Sequence, residues 1–221
     1  MKFIRLVLFI PILFFVTSCN STKKINNFKS NIEENLIKKE TEKPIIQVIL
    51  GSTRQKRTSD KIGNIFKNFL STREDIILEI IDLKDYNLPF LDDEIAPANQ
   101  TTITDPLIQK WSNSIKSANA FVIIVPTYNF GYPGVLKNAL DLLFKEWNNK
   151  PVAFVGYSGG DSGGLLAVTQ LKEVTLALKM KPIKSNIYIP YAWKAFDKNQ
   201  NFITPINQKI TAMINELIAN V

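Results

Sequence analysis

Three short stretches hold the residue types that could do chemistry. Residues 51–59 read Gly-Ser-Thr-Arg-Gln-Lys-Arg-Thr-Ser. Here Ser52, Arg54, Arg57, Thr58 and Ser59 bring hydroxyls and two guanidinium groups to a turn that opens a helix, where backbone N–H groups and the helix dipole favour an anion. These are the parts of a cradle for a terminal phosphate monoester; the plainer alternative is a capped, solvated loop. The stretch matches neither G-x-x-x-x-G-K-S/T nor G-x-G-x-x-G, which excludes the nucleoside-triphosphate loop and the dinucleotide fingerprint.

The second stretch is residues 126–141, PTYNFGYPGVLKNALD, after the apolar run FVIIV. Pro126 ends a strand, and Thr127, Tyr128 and Asn129 begin a polar and aromatic turn suited to a flat molecule with polar edges, unless the tyrosines merely pack. The third, residues 156–164, reads Gly-Tyr-Ser-Gly-Gly-Asp-Ser-Gly-Gly. It imitates the G-x-S-x-G nucleophile elbow and the segment around a trypsin-like nucleophile. The chain has no histidine, so neither Ser158 nor Ser162 has the usual base, and serine hydrolysis is excluded. The glycines instead let backbone approach a ring edge, with Ser158, Gly159 and Gly160 offering N–H groups to carbonyl oxygens.

The elements that position these stretches follow from hydrophobic periodicity. Strands are expected at residues 45–50, 76–81, 121–125, 152–157 and 183–189. Helices are expected at residues 58–70 (Ile62, Ile65, Phe66 and Phe69 inward), from Asp105 and Pro106 (Leu107, Trp111 and Ile115 inward), and after Pro133 (Val135, Leu136, Ala139, Leu142 and Leu143). Two more cover residues 165–179 and run from Pro205, with Ile206, Ile210, Met213 and Leu217 on one stripe. Five strands, each followed by a helix, imply an α/β fold with a parallel sheet covered on both faces. The loops after the first, third and fourth strands then meet at its carboxyl edge.

Length and a 45% apolar content allow one domain with appendages. The formal charge of +7 is concentrated early: from Pro44 onward there are 19 basic and 16 acidic residues, a net of +3. No basic block interleaved with aromatics points to nucleic acid. The absence of histidine also argues against zinc, and no metal ligands are expected. Lys2, Arg5 and an apolar run over residues 6–16 fit a secretory signal. The ending Val-Thr-Ser-Cys resembles the bacterial lipoprotein signal. That resemblance implies a signal over residues 1–18, a lipidated Cys19, a polar tether to residue 43 and a domain over residues 44–221, exported and membrane-anchored. Cys19 is the only cysteine, so redox chemistry would require a bound cofactor. A flexible tether of this length has a typical span of roughly 27 Å. Ile25, Phe28, Ile32 and Leu36 also allow a short amphipathic helix within it.

A phosphate at one end and a flat heterocycle at the other describe flavin mononucleotide, which the flavodoxin-like strand order 2-1-3-4-5 seats at this edge. The domain resembles the NADPH-dependent FMN reductase family, whose members include quinone, azo-dye and chromate reductases. The resemblance runs from Ile46 to the last helix, on LGSTRQKRTSDKIG, DLKDYNLPFLDDE, PTYNFGYPGVLKNALD, YSGGDSGG and the later FDKNQNFI. It implies that Ser52, Arg54, Arg57, Thr58 and Ser59 hold the phosphate, that Pro126, Thr127, Tyr128 and Asn129 border the isoalloxazine, and that Ser158, Gly159 and Gly160 meet its other edge. Thr127 departs from the acidic residue common there.

The resemblance implies hydride transfer from NAD(P)H through FMN to a small quinone-like acceptor, in a homodimer or homotetramer. No side chain need act as acid or base, so no catalytic residue is expected. Export would place the chain where NAD(P)H is scarce, which raises an alternative: a tethered flavodoxin-like electron carrier. A third reading is an interaction domain without FMN. Residues 92–104 are the expected lid.

Overall fold

The computed structural model describes residues 43–221. The signal, Cys19 and the amphipathic stretch around Phe28 lie outside the described residues.

Chain order is β1 (Ile45–Leu50), α1 (Thr58–Leu70), β2 (Ile77–Asp82), α2 (Pro106–Ser117), β3 (Ala120–Pro126), α3 (Gly134–Asp141), β4 (Pro151–Tyr157), α4 (Leu165–Ala177), β5 (Lys181–Pro182), β6 (Ile187–Ile189) and α5 (Asn207–Ala219). Every strand pairing is parallel. The order is β2-β1-β3-β4-β5, with β6 also paired to β4. This is the expected flavodoxin-like arrangement.

β3 and β4 are buried along their whole length, as strands covered on both faces must be. Their side chains alternate between two apolar layers. Phe121, Ile123, Val125, Val152 and Phe154 pack with Ile108, Trp111 and Ile115 of α2, Leu136 of α3 and Leu171 of α4. Val122, Ile124, Ala153, Val155 and Tyr157 pack with Ile62 and Phe66 of α1 and Ile210, Met213 and Leu217 of α5. At roughly 1.5–3 kcal/mol for each large apolar side chain buried, these layers supply the main favourable term.

The structure departs from the sequence expectation in three places. In α2 the Asp105 carboxylate caps the N–H groups of Leu107 and Ile108, and this phase puts Ile108 inward and Leu107 at 38% exposure. Helix α3 stops at Asp141; Leu142 and Leu143 are buried beyond its end.

The expected strand over residues 183–189 is broken into β5 and β6. Between them the Asn186 side chain accepts from the Phe154 N–H at 2.8 Å, replacing a ladder bond. Glu216 of α5 accepts from the N–H groups of Lys184 and Ser185 at 2.9 and 3.0 Å. Side chains thus satisfy backbone that a continuous strand would have paired.

Candidate functional site

Strand order reverses between β1 and β3, since the chain leaves β1 for β2 on one side and β3 for β4 on the other. In open parallel sheets such a reversal, at the carboxyl ends of the strands, is where ligands sit. The Gly51 N–H donates to the Ile124 carbonyl at 2.9 Å, tying the first loop to β3. A Cβ at Gly51 would lie 2.8 Å from that same oxygen, so only glycine lets the strands approach this closely. The hydroxyls of Ser52 and Tyr128 are 2.7 Å apart and join the first loop to the third. The Thr127 N–H donates to the Tyr157 carbonyl at 3.0 Å, and the Ser158 N–H to the Ile189 carbonyl at 3.2 Å. The three expected loops are therefore stitched into one edge.

Within the first loop the two arginines part company. Arg54 is exposed, with its guanidinium 5.5 Å from the Tyr128 ring centre and its backbone N–H 3.4 Å from Ser52 Oγ. Arg57, expected beside it as a phosphate ligand, has a side chain only 3% exposed. Its guanidinium donates to Asp60 at 2.6 Å, to Asp82 at the end of β2 and to the Ser52 carbonyl. Burial disfavours the charge, but the hydrogen bonds to Asp82 and Asp60 outweigh it and raise the pKa above its ordinary value. These bonds hold the loop's shape, and the Arg57 side chain supplies no cap to α1. Thr58 is half-buried; Ser59 is fully buried beside the Tyr157 hydroxyl.

In the third loop Tyr128 and Gly131 exchange N–H···O bonds of 2.8 and 3.0 Å around Asn129 and Phe130, whose φ angles are +48° and +66°. Asparagine tolerates this left-handed turn; phenylalanine rarely adopts it, so Phe130 is strained. The Gln170 side chain of α4 fixes it by donating to the Phe130 carbonyl at 3.1 Å, leaving the ring 72% exposed. Pro126 is buried at the strand end, and Thr127 Oγ1 is buried without a partner among the described residues.

The fourth loop bends back on itself. Ser158 Oγ donates to the Gly160 carbonyl at 2.9 Å, and Ser162 Oγ to Ser158 Oγ at 3.4 Å. The Tyr191 and Ala192 N–H groups donate to the carbonyls of Gly160 and Ser158, both at 2.9 Å. Gly164, at φ +93°, would place a Cβ 2.3 Å from the Tyr157 nitrogen. Nothing lies within 4 Å of a Cβ built on Gly159 or Gly160, so that stretch of backbone is open to a neighbour.

Two residues at this edge stand out only in the structure. Asp82 anchors Arg57, and only its place at a strand's carboxyl end hints at this. Tyr157, at 6% exposure, ends β4 with its buried hydroxyl beside Ser59 at the start of α1. It read as the last core residue of a strand. The expected lid is also partly committed elsewhere: Ile103 packs on the core and Lys145 donates to the Gln100 carbonyl at 3.0 Å. That half of the segment lies on the connection leading toward the amino end of β4.

A family model described as NADPH-dependent FMN reductase matches residues 44–194. The NAD(P)H-dependent FMN reductase LOT6 of Saccharomyces cerevisiae is 35% identical over 148 residues, covering 62% of this chain and 76% of the relative. An NAD(P)H-dependent FMN reductase of Schizosaccharomyces pombe is 40% identical over 139 residues, covering 62% and 68%. A 2-hydroxy-1,4-benzoquinone reductase of Burkholderia sp is 27% identical over 177 residues, covering 74% and 88%. Among solved structures, the flavoenzyme NAD(P)H:(acceptor) oxidoreductase FerB of Paracoccus denitrificans superposes with a TM-score of 0.67 at 23% identity, over 80% of this chain and 98% of its own. That superposition carries the fold.

Proposed function

The chain belongs to the NADPH-dependent FMN reductase family, oxidoreductases that use FMN with NAD(P)H, and on that premise we propose that it reduces a small quinone-like acceptor at the stitched carboxyl edge. One observation carries the reading: first, third and fourth loops are joined there through Ser52, Tyr128, Thr127 and Tyr157.

The donor set fits FMN. Thr127 Oγ1, in the ring-bordering loop, is buried and unpaired among the described residues, and Gly159 and Gly160 leave an open backbone edge. Ser52, Arg54, Thr58, Ser59 and the first N–H groups of α1 would hold the phosphate. Pro126, Thr127, Tyr128 and Asn129 would border one side of the ring system, with Ser158, Gly159 and Gly160 at its other edge. Bound FMN supplies the hydride chemistry between NAD(P)H and the acceptor. The protein's part is to position and exclude water; no side chain is assigned proton transfer.

Membrane attachment through an acylated Cys19 is part of the same proposal, supported by the leader's charge, apolar run and Val-Thr-Ser-Cys ending. In a bacterial host, Cys19→Ser should move the protein from the membrane to the soluble fraction and remove the acyl mass from its N-terminal peptide. A second copy is proposed to cover the apolar rim around the loops, where Phe130 and Trp193 are 72% and 74% exposed. Light scattering on the purified protein checks this, and a monomer would end it.

Anaerobic titration decides the activity. Bound flavin that bleaches with NADPH or NADH and recolours with a quinone supports the reductase. The leader favours a second reading, the tethered electron carrier, which predicts bound flavin that stays oxidised with both nucleotides. A protein that binds no flavin would refute both.

A further inference from the structure

A cavity of about 320 Å³ lies between α2 and the turn that follows α3, roofed by residues 97–103. It stands apart from the carboxyl edge. α2 leads back to the amino ends of the strands, where Asn119, just past it, donates its N–H to the Ile45 carbonyl at 2.8 Å. Lys150, just before β4, donates to the carbonyls of Ile115 and Lys116 at 2.6 and 3.1 Å.

The inner wall is apolar. Leu142 and Leu143 are each 2% exposed, and Phe144 and Ile103 pack on the same core. Lys145 ties down the roof by donating to the Gln100 carbonyl at 3.0 Å. Into this space the chain brings one carboxylate. The Glu146 side chain is only 9% exposed and accepts from the fully buried Ser112 hydroxyl at 2.6 Å. Its nearest ammonium among the described residues, that of Lys116, stands at 3.9 Å on a side chain 59% exposed, too far for a hydrogen bond. A carboxylate this deep is normally held by several donors or a close cation, so Glu146 has capacity left for a charged donor.

The plainer role for Glu146 is to pin the turn to α2 through Ser112. That explains the 2.6 Å bond. It does not explain why a space of ligand size, which begins at about 300 Å³, stays open beside the carboxylate with a cation at its rim. A lone organic cation would meet Lys116 and Lys145 there, and a lone anion would meet Glu146. A zwitterion with an apolar body opposes each group with the right sign.

We propose that this cavity is a second ligand site, one that takes a small apolar α-amino acid. Its ammonium donates to Glu146, its carboxylate meets Lys116, and its side chain lies against Leu142, Leu143 and Phe144. The exposed lysine can swing from Glu146 to admit it.

Calorimetric titration of the purified protein with L-phenylalanine, phenylethylamine, phenylpropionate and glycine tests this. L-Phenylalanine should bind. The amine lacks the carboxylate and the acid lacks the ammonium, so each should bind about tenfold more weakly, the scale of a hydrogen bond to a charged group. Glycine, without the apolar body, should not bind. Glu146→Gln should weaken L-phenylalanine about tenfold and leave phenylpropionate no weaker. Lys116→Met should weaken L-phenylalanine similarly and leave phenylethylamine no weaker; because Lys116 is exposed, this variant keeps the proposal testable if the first folds poorly. FMN affinity should hold in both, since neither residue lies at the carboxyl edge. No binding of L-phenylalanine, equal binding of all the probes, or unchanged L-phenylalanine affinity in both variants would each overturn the proposal.

Discussion

The hydroxyls of Ser52 and Tyr128 lie 2.7 Å apart, the one side-chain hydrogen bond among the described residues that links the first loop to the third. Ser52 is fully buried, so this contact is shielded from competing water. Tyr128→Phe should cost about 1–2 kcal/mol by leaving Ser52 Oγ poorly satisfied. Urea unfolding followed by the buried Trp111 and Trp147 reads the loss, and FMN affinity should fall with it as the two loops uncouple.

The two arginines should separate by assay. Arg57→Met removes a guanidinium that closes Asp60, Asp82 and the Ser52 carbonyl into one frame. We expect a loss of about 2–3 kcal/mol, less than for a fully buried pair because both carboxylates keep contact with water. Arg57→Lys should restore little of it, since an ammonium cannot reach three acceptors in a fork. Arg54→Ala should leave the unfolding curve in place and weaken FMN.

Glycines in the fourth loop should divide in the same way. Gly164→Ala forces a Cβ onto the Tyr157 nitrogen at positive φ and should cost about 3 kcal/mol or more. Gly160→Ala meets open space and should shift stability by no more than ~0.5 kcal/mol, while reducing flavin affinity. Melting temperature and flavin titration on the same two variants check both halves.

Tyr157 also sets a pH dependence. Burial raises its pKa to about 12 in the folded chain, against about 10 unfolded. Between those values the unfolded chain has released a proton that the folded chain keeps, so stability is full below pH 10 and falls as pH rises. The loss amounts to roughly 2–3 kcal/mol by pH 12. The stability of wild type relative to Tyr157→Phe should be constant up to about pH 10 and fall above it; a difference that stays constant throughout would contradict the assignment.

Much of this was legible from the sequence because the information is local. The runs IIQVIL and FVIIV are strands on any parallel-sheet reading, and the loops after them had to share an edge. What stayed hidden depends on partners far along the chain. Nothing near Arg57 in the sequence reveals that Asp82, at the end of the next strand, holds it. The apolar spacing of residues 183–189 reads as one strand because the groups that break it are a carboxylate on α5 and an amide that faces β4. Tyr157 was invisible as a polar residue because its ring is core and only its last atom is not.

The bond from Gly51 to Ile124 has a consequence for timing. A ribosome that has released β1, α1 and β2 has made two of the six strands and no binding edge, because the partner of Gly51 has yet to be synthesised. The crevice comes into being only when β3 inserts beside β1 and β4 follows, and such distant pairings form slowly. A flavin can therefore be held at this edge only once β3 and β4 are in place.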